Sequence, residues 1–405
     1  MSVAPGRPVG ATGGTPQKRV QNPVGVPCSF PLLLASLLSL ALLLSSACVR
    51  VTPPPSRPSG PSGPSSFLNP HWTPGDADAP PATPNPPSPP PPRTPKSEPR
   101  NPKSAPSLSP AAIRAIQIRL DRALFSPGGI DGRWGRKTSL ALADWQTANN
   151  LPPTGQPDPE TLRLLRADNP ADPDLYTSRT ITAADHAALR PFPDSWLDRS
   201  KLDTLAFSTI QEAIAEEFHL FQTALPELNP SIGPCGAWPN PAPGTTLVVP
   251  NVRRSRPPPA ARLEISLSEK AVRLYDASDR LRARFPCSIA ADKTKRPAGQ
   301  TLHVTRCADH PEYTFRPELY ADDPNAAGIT HNLRIPPGPN NPVGLAWIGL
   351  DLPGYGIHGT PVPEKISHTE SHGCFRLTNW DAQTLLLSVS PSLPVRILAP
   401  TEGSP

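Results

Sequence analysis

The sequence predicts a multidomain protein in which a small three-helix domain and an α+β segment precede a mainly-β domain. Three observations support this organisation. Apolar residues recur at helical spacing within residues 108–168, and they alternate with polar residues from residue 262 onward. Proline accounts for 63 of the 405 residues and is concentrated outside these regions. Because proline-rich tracts cannot build a packed core, we expect folded parts joined by linkers.

Residues 1–48 are typical of an export signal or a lipoprotein leader. The uncharged apolar run 30–44 follows two basic residues, and it is shorter than the roughly twenty residues that a membrane-spanning helix needs. Cys48 follows small residues, as in a lipoprotein processing site, although Ser45 stands where that motif prefers leucine. A cleaved signal, an uncleaved anchor and a lipid on Cys48 all stay open. We expect an exported protein of the periplasm or cell envelope.

Residues 49–107 are rich in Pro and Ser and predict an extended linker, after which a helical domain begins. Ser109 and Pro110 are a cap and a first-turn proline. The glycine-rich turn SPGGIDGRWGRKT separates this helix from a second one in LALADWQTANNL, and PETLRLL predicts a third. This order resembles the peptidoglycan-binding type 1 domain, which implies a wall-binding module over 108–168. A helical packing domain without a ligand is the alternative.

The middle segment, residues 175–252, combines a helix-rich stretch with an apolar strand. TIQEAIAEEFHLFQTALPELNP predicts helices, and PGTTLVVPNV predicts the strand. The order resembles the second half of a LysM domain. Its opening strand cannot be recognised, and a proline-rich insertion surrounds Cys235. Residues 253–261, RRSRPPPAA, predict another linker.

The C-terminal region, residues 262–399, reads as mainly β. RLEISLSEKAVRLY and LRARF flank an Asp-Ala-Ser-Asp turn, and PAGQTLHVT and LAWIGL predict further strands. The region is long enough to bury a core of its own.

The densest chemical pattern is GIHGTPVPEKISHTESHGCFRLT, near the end of this domain. A thiol can act as a nucleophile when an imidazole favours the thiolate, and the same imidazole can protonate a leaving amine. An arginine two residues beyond the cysteine can bind a carboxylate through two hydrogen bonds. The side chains concerned are His358, His368, His372, Cys374 and Arg376.

This pattern resembles the catalytic motif of the YkuD-type L,D-transpeptidases. The family has His-Gly-Thr followed by Ser-His-Gly-Cys-x-Arg, and here Cys374 follows His358 by 16 positions. The segment PPGPNNPVGLAWIGL also resembles the family. The turn RPAG resembles the family's Thr-Pro-x-Gly turn, although Arg296 stands in place of the threonine. The resemblance implies a peptidoglycan L,D-transpeptidase that forms cross-links by acyl transfer, through a cysteine thioester on a stem tetrapeptide. It implies no cofactor and no metal.

The resemblance also implies roles for individual residues. Cys374 would be the nucleophile, and His358 would be the general base, oriented by a backbone carbonyl such as that of Gly359. His372 would tune the thiol or shape the oxyanion site, whose donors would be the amides of Gly373 and Cys374. The residues expected at the substrate are Arg376, Ser371, Gly359 and Thr360.

Other functions use the same residues. If water replaces the amine acceptor, the protein is an L,D-carboxypeptidase or a cross-link hydrolase. A wall-binding scaffold with an inactive catalytic domain is the non-enzymatic alternative. Cys374 could also belong to a disulfide or, with the histidines, to a zinc site, but neither explains the Gly-Cys-x-Arg context.

The expected partners are peptidoglycan stem peptides and glycan. A wall protein is a further candidate acceptor, and the leader or a lipid on Cys48 would provide a membrane anchor. The net charge of +5 suits contact with anionic wall polymers. Basic tracts interleaved with aromatic residues are absent from the sequence, so we expect no nucleic-acid partner. The acceptor, the third-position diamino acid of the stem and the oligomeric state stay open.

An exported protein can form disulfides, and this chain has six cysteines. If Cys374 is a nucleophile, Cys235, Cys287 and Cys307 remain after the leader, and they can form at most one bridge. Cys287 and Cys307 are the better candidates because they lie in two predicted strands of one domain.

Overall fold

The computed structural model describes residues 107–233, 238–320, 323–368 and 373–399. The leader with Cys48, nearly all of the first linker, Cys235, Ser371 and His372 lie outside this range. The helices are α1 Pro110–Arg122, α2 Arg136–Ala148, α3 Pro159–Leu165, α4 Ala183–Ala188, α5 Trp196–Arg199, α6 Ile210–Glu217, α7 Ala224–Leu228 and α8 Asn379–Leu386. The strands are β1 Tyr176–Thr180, β2 Thr246–Pro250, β3 Arg262–Ser266, β4 Ala271–Tyr275, β5 Leu281–Pro286, β6 Thr301–Asp309, β7 Tyr313–Phe315, β8 Leu333–Ile335, β9 Ala346–Leu350, β10 Gly356–His358, β11 Phe375–Arg376 and β12 Pro394–Leu398.

The three predicted helices of the N-terminal domain are α1, α2 and α3. The side chain of Ser109 accepts a hydrogen bond from the amide of Ala112 and caps α1, and Asp158 caps α3 through the amide of Thr161. α2 begins after Gly135, which has no side chain to cap it. The core of the domain contains Ile116, Leu120, Leu142, Trp145 and Leu165.

The middle segment is built around a two-stranded antiparallel sheet. β1 pairs with β2 from Tyr176 opposite Pro250 to Thr180 opposite Thr246. β1 reads YTSRT, and this largely polar strand lacks the apolar alternation that would reveal it in the sequence. α4 to α7 lie between the two strands in the chain. A strand, helices and a second strand are what the LysM-like interpretation requires, and that interpretation stays a prediction.

The N-terminal domain and the middle segment share a hydrophobic core. Apolar side chains of α1 and of the glycine-rich turn pack with side chains of β2, α6 and the residues just before β1. The cluster includes Ala115, Ile118, Ile130, Leu175, Ile210 and Leu247. Packing therefore continues across the boundary that the sequence predicts near residues 168–175.

The C-terminal domain is mainly β, as the alternation predicts. Its described residues form an eight-stranded sheet in the order β11-β10-β9-β6-β12-β3-β4-β5. The β10–β11 and β12–β3 pairs are parallel, and the other neighbours are antiparallel. Leu263 and Ile265 of β3 face the core, where α8 adds Leu385. β7 and β8 form a separate antiparallel pair between β6 and β9 in the chain.

The expected Cys287–Cys307 disulfide is wrong. Cys287 follows β5 and is fully buried, Cys307 lies on β6 and is exposed, and both are reduced thiols. Three strands separate β5 from β6 in the sheet, at about 4.8 Å per strand. A disulfide needs α-carbons roughly 6 Å apart. The sequence placed both cysteines in strands, but it did not reveal the strand order.

The predicted linker 253–261 has neither helix nor strand, yet one of its side chains is firmly held. Arg254 has a side chain only 7% exposed and lies 2.5 Å from Asp121 of α1 and 2.7 Å from Asp381 of α8. Both carboxylates are completely buried. The segment therefore fastens the helical domain to the catalytic-domain helix instead of separating them.

A second buried ion cluster joins α2 to the edge of the large sheet. Asp144 lies 2.7 Å from Arg273 of β4 and 3.2 Å from Arg284 of β5. The side chains of Asp144 and Arg284 are each 1% exposed. A buried charge without its partner is costly, so Arg284 depends on the Asp144 carboxylate, whereas Arg273 also pairs with Glu269.

We therefore predict that Asp144→Ala lowers the free energy of unfolding by about 3 kcal/mol, because it leaves the buried guanidinium of Arg284 without a carboxylate and removes one of the two carboxylates that Arg273 contacts. Urea denaturation of the full chain measures the change. Asp279→Ala is the matched control: Asp279 pairs with Arg262 but is 72% exposed, and its loss should cost less than about 1 kcal/mol. Equal effects of the two substitutions would contradict the prediction.

Candidate active site

The two halves of the sequence motif meet on neighbouring parallel strands. β10 pairs with β11 so that Ile357 lies opposite Phe375 and His358 opposite Arg376. Ile357 and Phe375 are buried in the core. Because side chains alternate along a strand, His358, Arg376 and Cys374 face away from that core. The structure thus brings the imidazole, the guanidinium and the thiol to one face at the end of the sheet.

His358 is buried and held in one tautomer. Its Nδ1 lies 2.7 Å from the carbonyl oxygen of Gly359. A carbonyl can only accept, so Nδ1 donates and Nε2 keeps its lone pair. The ring of Trp347 stacks on the imidazole at 5.5 Å. Burial lowers the pKa of His358 to about 4, against a smaller opposing effect of the Gly359 carbonyl. At neutral pH the imidazole is therefore an uncharged base.

The side chain of Asn379, the first residue of α8, packs against Gly359. Asn379 Oδ1 accepts a hydrogen bond of 3.1 Å from the amide of Leu345, and its Nδ2 donates to the carbonyl of Pro339 at 3.2 Å. A Cβ on Gly359 would lie only 2.2 Å from Asn379 Oδ1, so no larger residue fits. The Gly359 carbonyl thus orients the imidazole of His358, and the side chain of Asn379 packs against Gly359. Asn379 lies outside the sequence motif, and the sequence did not predict this contact.

Cys374 is half-buried, and its Sγ lies 3.4 Å from the carbonyl oxygen of Gly354, to which the thiol donates. Burial raises the pKa of Cys374, while the Gly356 amide and the Arg376 guanidinium lower it to a smaller extent. The resting site therefore holds a neutral thiol beside a neutral imidazole. A proton must leave the sulfur during attack.

Arg376 is half-buried beside the thiol. Its backbone forms two hydrogen bonds with Ser288, of 3.0 and 2.8 Å, which extend the sheet beyond β11. Burial lowers the pKa of its guanidinium, and the charge interacts with Cys374 and with Tyr320. A cation at this position can meet a carboxylate of a substrate bound at the cysteine.

Aromatic side chains that the motif does not contain complete the wall. The ring of Tyr355 lies 3.5 Å from the point where a Cβ on Gly373 would stand, and its hydroxyl donates to the Lys295 carbonyl at 2.6 Å. The hydroxyls of Tyr313 and Tyr320 are 2.8 Å apart. The tyrosines lie outside the motif, two of them in and after β7, and no spacing rule in the sequence points to them.

Of the four remaining predicted residues, the structure describes Thr360 and His368. Thr360 is buried, and its hydroxyl accepts a hydrogen bond of 3.3 Å from the amide of Val362. His368 is exposed. Ser371 and His372 lie outside the described residues, so their roles stay predictions. Within the described ranges, no three His, Cys, Asp or Glu residues form a group that could hold a metal ion.

A half-buried thiol and an oriented, neutral imidazole are the groups that a cysteine-dependent enzyme uses. Two family models match the chain: "Putative peptidoglycan binding domain" over residues 109–165 and "L,D-transpeptidase catalytic domain", the YkuD family, over residues 260–397. The chain therefore contains a YkuD-type L,D-transpeptidase catalytic domain behind a peptidoglycan-binding domain.

Relatives by sequence carry the same description. "Putative L,D-transpeptidase YkuD" of Bacillus licheniformis is 28% identical over 43% of this chain and 84% of that protein. "Putative L,D-transpeptidase YqjB" of Bacillus subtilis is 31% identical over 35% of this chain and 66% of that protein. "Probable L,D-transpeptidase YcfS" of Escherichia coli is 29% identical over 46% and 58%. The chain thus spans less than two thirds of the length of the last two relatives.

A solved L,D-transpeptidase structure from Xylanimonas cellulosilytica aligns with 76% of this chain and 99% of that chain, at 15% identity and a TM-score of 0.28. The family models confirm the two predicted domain families and the predicted enzyme class of the catalytic domain. Domains that act on peptidoglycan imply an extracytoplasmic protein. Among the described residues, no helix is long and apolar enough to span a membrane.

Glu216 of α6 yields a prediction about pH and stability. Its Oε1 is buried without a hydrogen-bond partner in the described part of the chain. Burial raises its pKa from 4.5 to about 8, despite a hydrogen bond with Asn379. Between these values the unfolded chain loses a proton that the folded chain keeps, so stability falls as the pH rises.

We therefore predict that Glu216→Gln raises the free energy of unfolding at pH 8 by about 2 kcal/mol, and that the gain disappears near pH 4. Thermal melts across this pH range measure it. The adjacent Glu217, whose side chain is 46% exposed, provides the control Glu217→Gln, which should leave the pH profile unchanged. A gain that does not depend on pH would contradict the titration argument.

The raised pKa of Cys374 predicts how its reactivity responds to pH. Only the thiolate reacts with iodoacetamide, so the alkylation rate of Cys374 should still be increasing at pH 9.0, the ordinary value for this thiol. Mass spectrometry of the peptide containing Cys374 follows the rate, and the exposed Cys307 provides an internal comparison. A plateau below pH 8 would show instead that the resting thiol is already ionised.

Proposed function

We propose that this L,D-transpeptidase forms peptidoglycan cross-links by transferring the acyl group of a stem tetrapeptide through a thioester on Cys374. The observation that supports this most directly is the orientation of His358. Its Nδ1 is occupied by the Gly359 carbonyl, which leaves Nε2 as the only imidazole atom able to accept the thiol proton.

The proposed first step is acylation. His358 Nε2 takes the proton of Cys374 as the sulfur attacks the amide carbonyl after the third residue of the stem. The amides of Gly373 and Cys374 then hold the developing oxyanion, with His372 beside them. The imidazolium returns its proton to the leaving amino group, and the terminal D-amino acid departs.

The second step resolves the thioester. An amine of a neighbouring stem, or of a wall protein, attacks the acyl carbon, and His358 accepts its proton and returns it to the sulfur. Arg376 binds a substrate carboxylate, and Ser371 and Thr360 contribute hydrogen bonds near it. Water in place of the amine makes the same site an L,D-carboxypeptidase or a cross-link hydrolase. The acceptor depends on the shape of the site around the thioester.

We also propose how the enzyme is located. The leader would direct export to the periplasm or cell envelope, and either the leader or a lipid on Cys48 would anchor the chain. The N-terminal domain would then bind peptidoglycan, with the LysM-like segment contributing contacts to glycan. The linker of residues 49–107 would hold these parts away from the membrane.

The test is intact-mass spectrometry of the protein mixed with a purified disaccharide-tetrapeptide. We expect a thioester adduct and a cross-linked dimer with the natural chain, and neither with Cys374→Ala. His358→Gln should lower the rate of adduct formation about 100-fold, because general-base assistance is lost. His303→Gln, which alters a half-exposed histidine of β6, should leave the rate unchanged.

The products distinguish the alternatives. Release of tripeptide without dimer would identify a hydrolase that uses the same cysteine. If neither adduct nor product forms with the natural chain, the proposed acyl transfer is wrong.

A further inference from the structure

A second site lies between the peptidoglycan-binding domain and the catalytic domain. It is a cavity of about 430 Å³. One wall comes from the glycine-rich turn and the start of α2, and the opposite wall comes from the β3–β4 turn and residues 367–368. Phe221 of the middle segment closes one side. The proposed mechanism uses none of these residues.

Three cations in the cavity wall have no carboxylate partner. Within the described residues, each donates a hydrogen bond to a backbone carbonyl of the catalytic domain, and none has a carboxylate within ion-pair distance. The pairs are Arg136 with Ser268 at 3.2 Å, Lys137 with Ile366 at 3.4 Å and Lys270 with Ser367 at 3.2 Å.

The acidic residues of the wall are already occupied. Glu269 pairs with Arg273, and Asp131 accepts hydrogen bonds from the Gln117 side chain and the Arg133 amide. A fourth cation, Arg133, pairs with Glu227 at 2.7 Å. Asp131 keeps its negative charge, because its hydrogen-bond donors are neutral, and this charge also acts on Lys137. Three cations without an ion-pair partner thus face one such carboxylate, and the net charge of the cavity wall is positive.

Further features favour an anion in this cavity. α2 has thirteen residues and no side-chain cap at Gly135, so the positive end of its dipole and its first amides face this region uncompensated. Burial lowers the pKa of Lys137, which also lies 4.9 Å from the centre of the Phe221 ring. An anion would restore the solvation that these cations have lost. Trp134 adds a half-buried aromatic surface for the apolar part of a ligand.

The cavity is connected to the catalytic strand by short hydrogen bonds. The amide of Ser367, in the cavity wall, donates to Ser288 Oγ at 3.0 Å. Ser288 in turn pairs with the backbone of Arg376, two residues beyond the nucleophile. The cavity wall is therefore hydrogen-bonded, through Ser288, to the strand that follows Cys374.

We propose that this cavity binds the carboxylates of a peptidoglycan stem peptide through Arg136, Lys137 and Lys270. The proposal rests on the proposed function, because it takes peptidoglycan as the substrate. Stem peptides are acidic, and Arg and Lys suit carboxylates. Side chains of both domains would bind the stem. A stem bound here would align its glycan strand with the catalytic face, so that a different stem of the wall reaches Cys374.

The test compares two double variants of the full chain in a Cys374→Ala background, which prevents turnover. R136Q/K270Q removes one cavity cation from each domain. R163Q/R280Q removes one exposed cation from each domain outside the cavity, so the net charge changes equally. The measurement is equilibrium binding to purified insoluble peptidoglycan, and to the same material after an amidase has removed its stem peptides.

We expect R136Q/K270Q to bind intact peptidoglycan about tenfold more weakly than the control, because charge-assisted hydrogen bonds are lost. The two variants should bind the stem-free glycan equally. R136K/K270R should bind like the parent if the charges, and not altered folding, carry the effect. Equal binding of the two double variants to intact peptidoglycan would overturn the proposal, as would a difference that persists on stem-free glycan.

The outcome can be separated from that of the proposed function. Thioester formation on Cys374 is measured with the soluble disaccharide-tetrapeptide in chains that keep the cysteine. If the natural chain forms no adduct, the proposed function fails. If the adduct forms while R136Q/K270Q and the control bind intact peptidoglycan equally, only the cavity proposal fails.

Discussion

The guanidinium of Arg254, held between the buried carboxylates of Asp121 and Asp381, is the contact on which the arrangement of the domains depends. Asp121 belongs to the peptidoglycan-binding domain and Asp381 to the catalytic domain. Two buried carboxylates repel each other unless a cation lies between them. Replacing such a cluster by apolar residues could give equal stability, but only charge pairing requires one particular arrangement of the groups. We interpret the cluster as specifying how the helical domain sits on the catalytic sheet.

The helix that contacts Arg254 also supports His358, the proposed general base. α8 begins at Asn379, whose side chain packs under Gly359, and continues to Asp381 two residues later. The same turn therefore connects the domain contact with the carbonyl that fixes the tautomer of His358. Glu216, from the middle segment, reaches Asn379 as well. Three parts of the chain thus converge on one turn of α8, which gives the accessory domains a physical connection to the catalytic imidazole.

The sequence predicted those features that depend on local chemistry. Ser109 caps α1 as expected, and the alternation after residue 262 marks strands of the large sheet. The His-Gly and Gly-Cys-x-Arg motifs predicted that His358 and Cys374 belong to one site, and the structure pairs the strands on which the two motifs lie. The roles of the two residues stay predictions.

Features that depend on tertiary structure could not be predicted from the sequence. β1 carries polar side chains and is defined by its pairing with β2. The separation of Cys287 from Cys307 follows from strand order, which no local pattern encodes. Arg254 lies in a stretch whose prolines predict a linker. Only its ion pairs with Asp121 of α1 and Asp381 of α8 show that this stretch holds the two domains together. Tyr355 and Asn379 support the site through contacts with glycine residues, and such contacts leave no periodic pattern.

The protonation states of the site constrain its chemistry. Burial keeps the imidazole uncharged, with a pKa of about 4, and raises the pKa of the thiol above its usual value. A thiolate–imidazolium pair formed before the substrate arrives would require two charges in a poorly solvated site. Proton transfer to His358 is therefore favourable only as the carbon–sulfur bond forms and negative charge moves to the substrate oxygen. Donors aimed at that oxygen then stabilise the charge where it develops, so burial of the thiol suppresses its reactivity except towards a bound substrate.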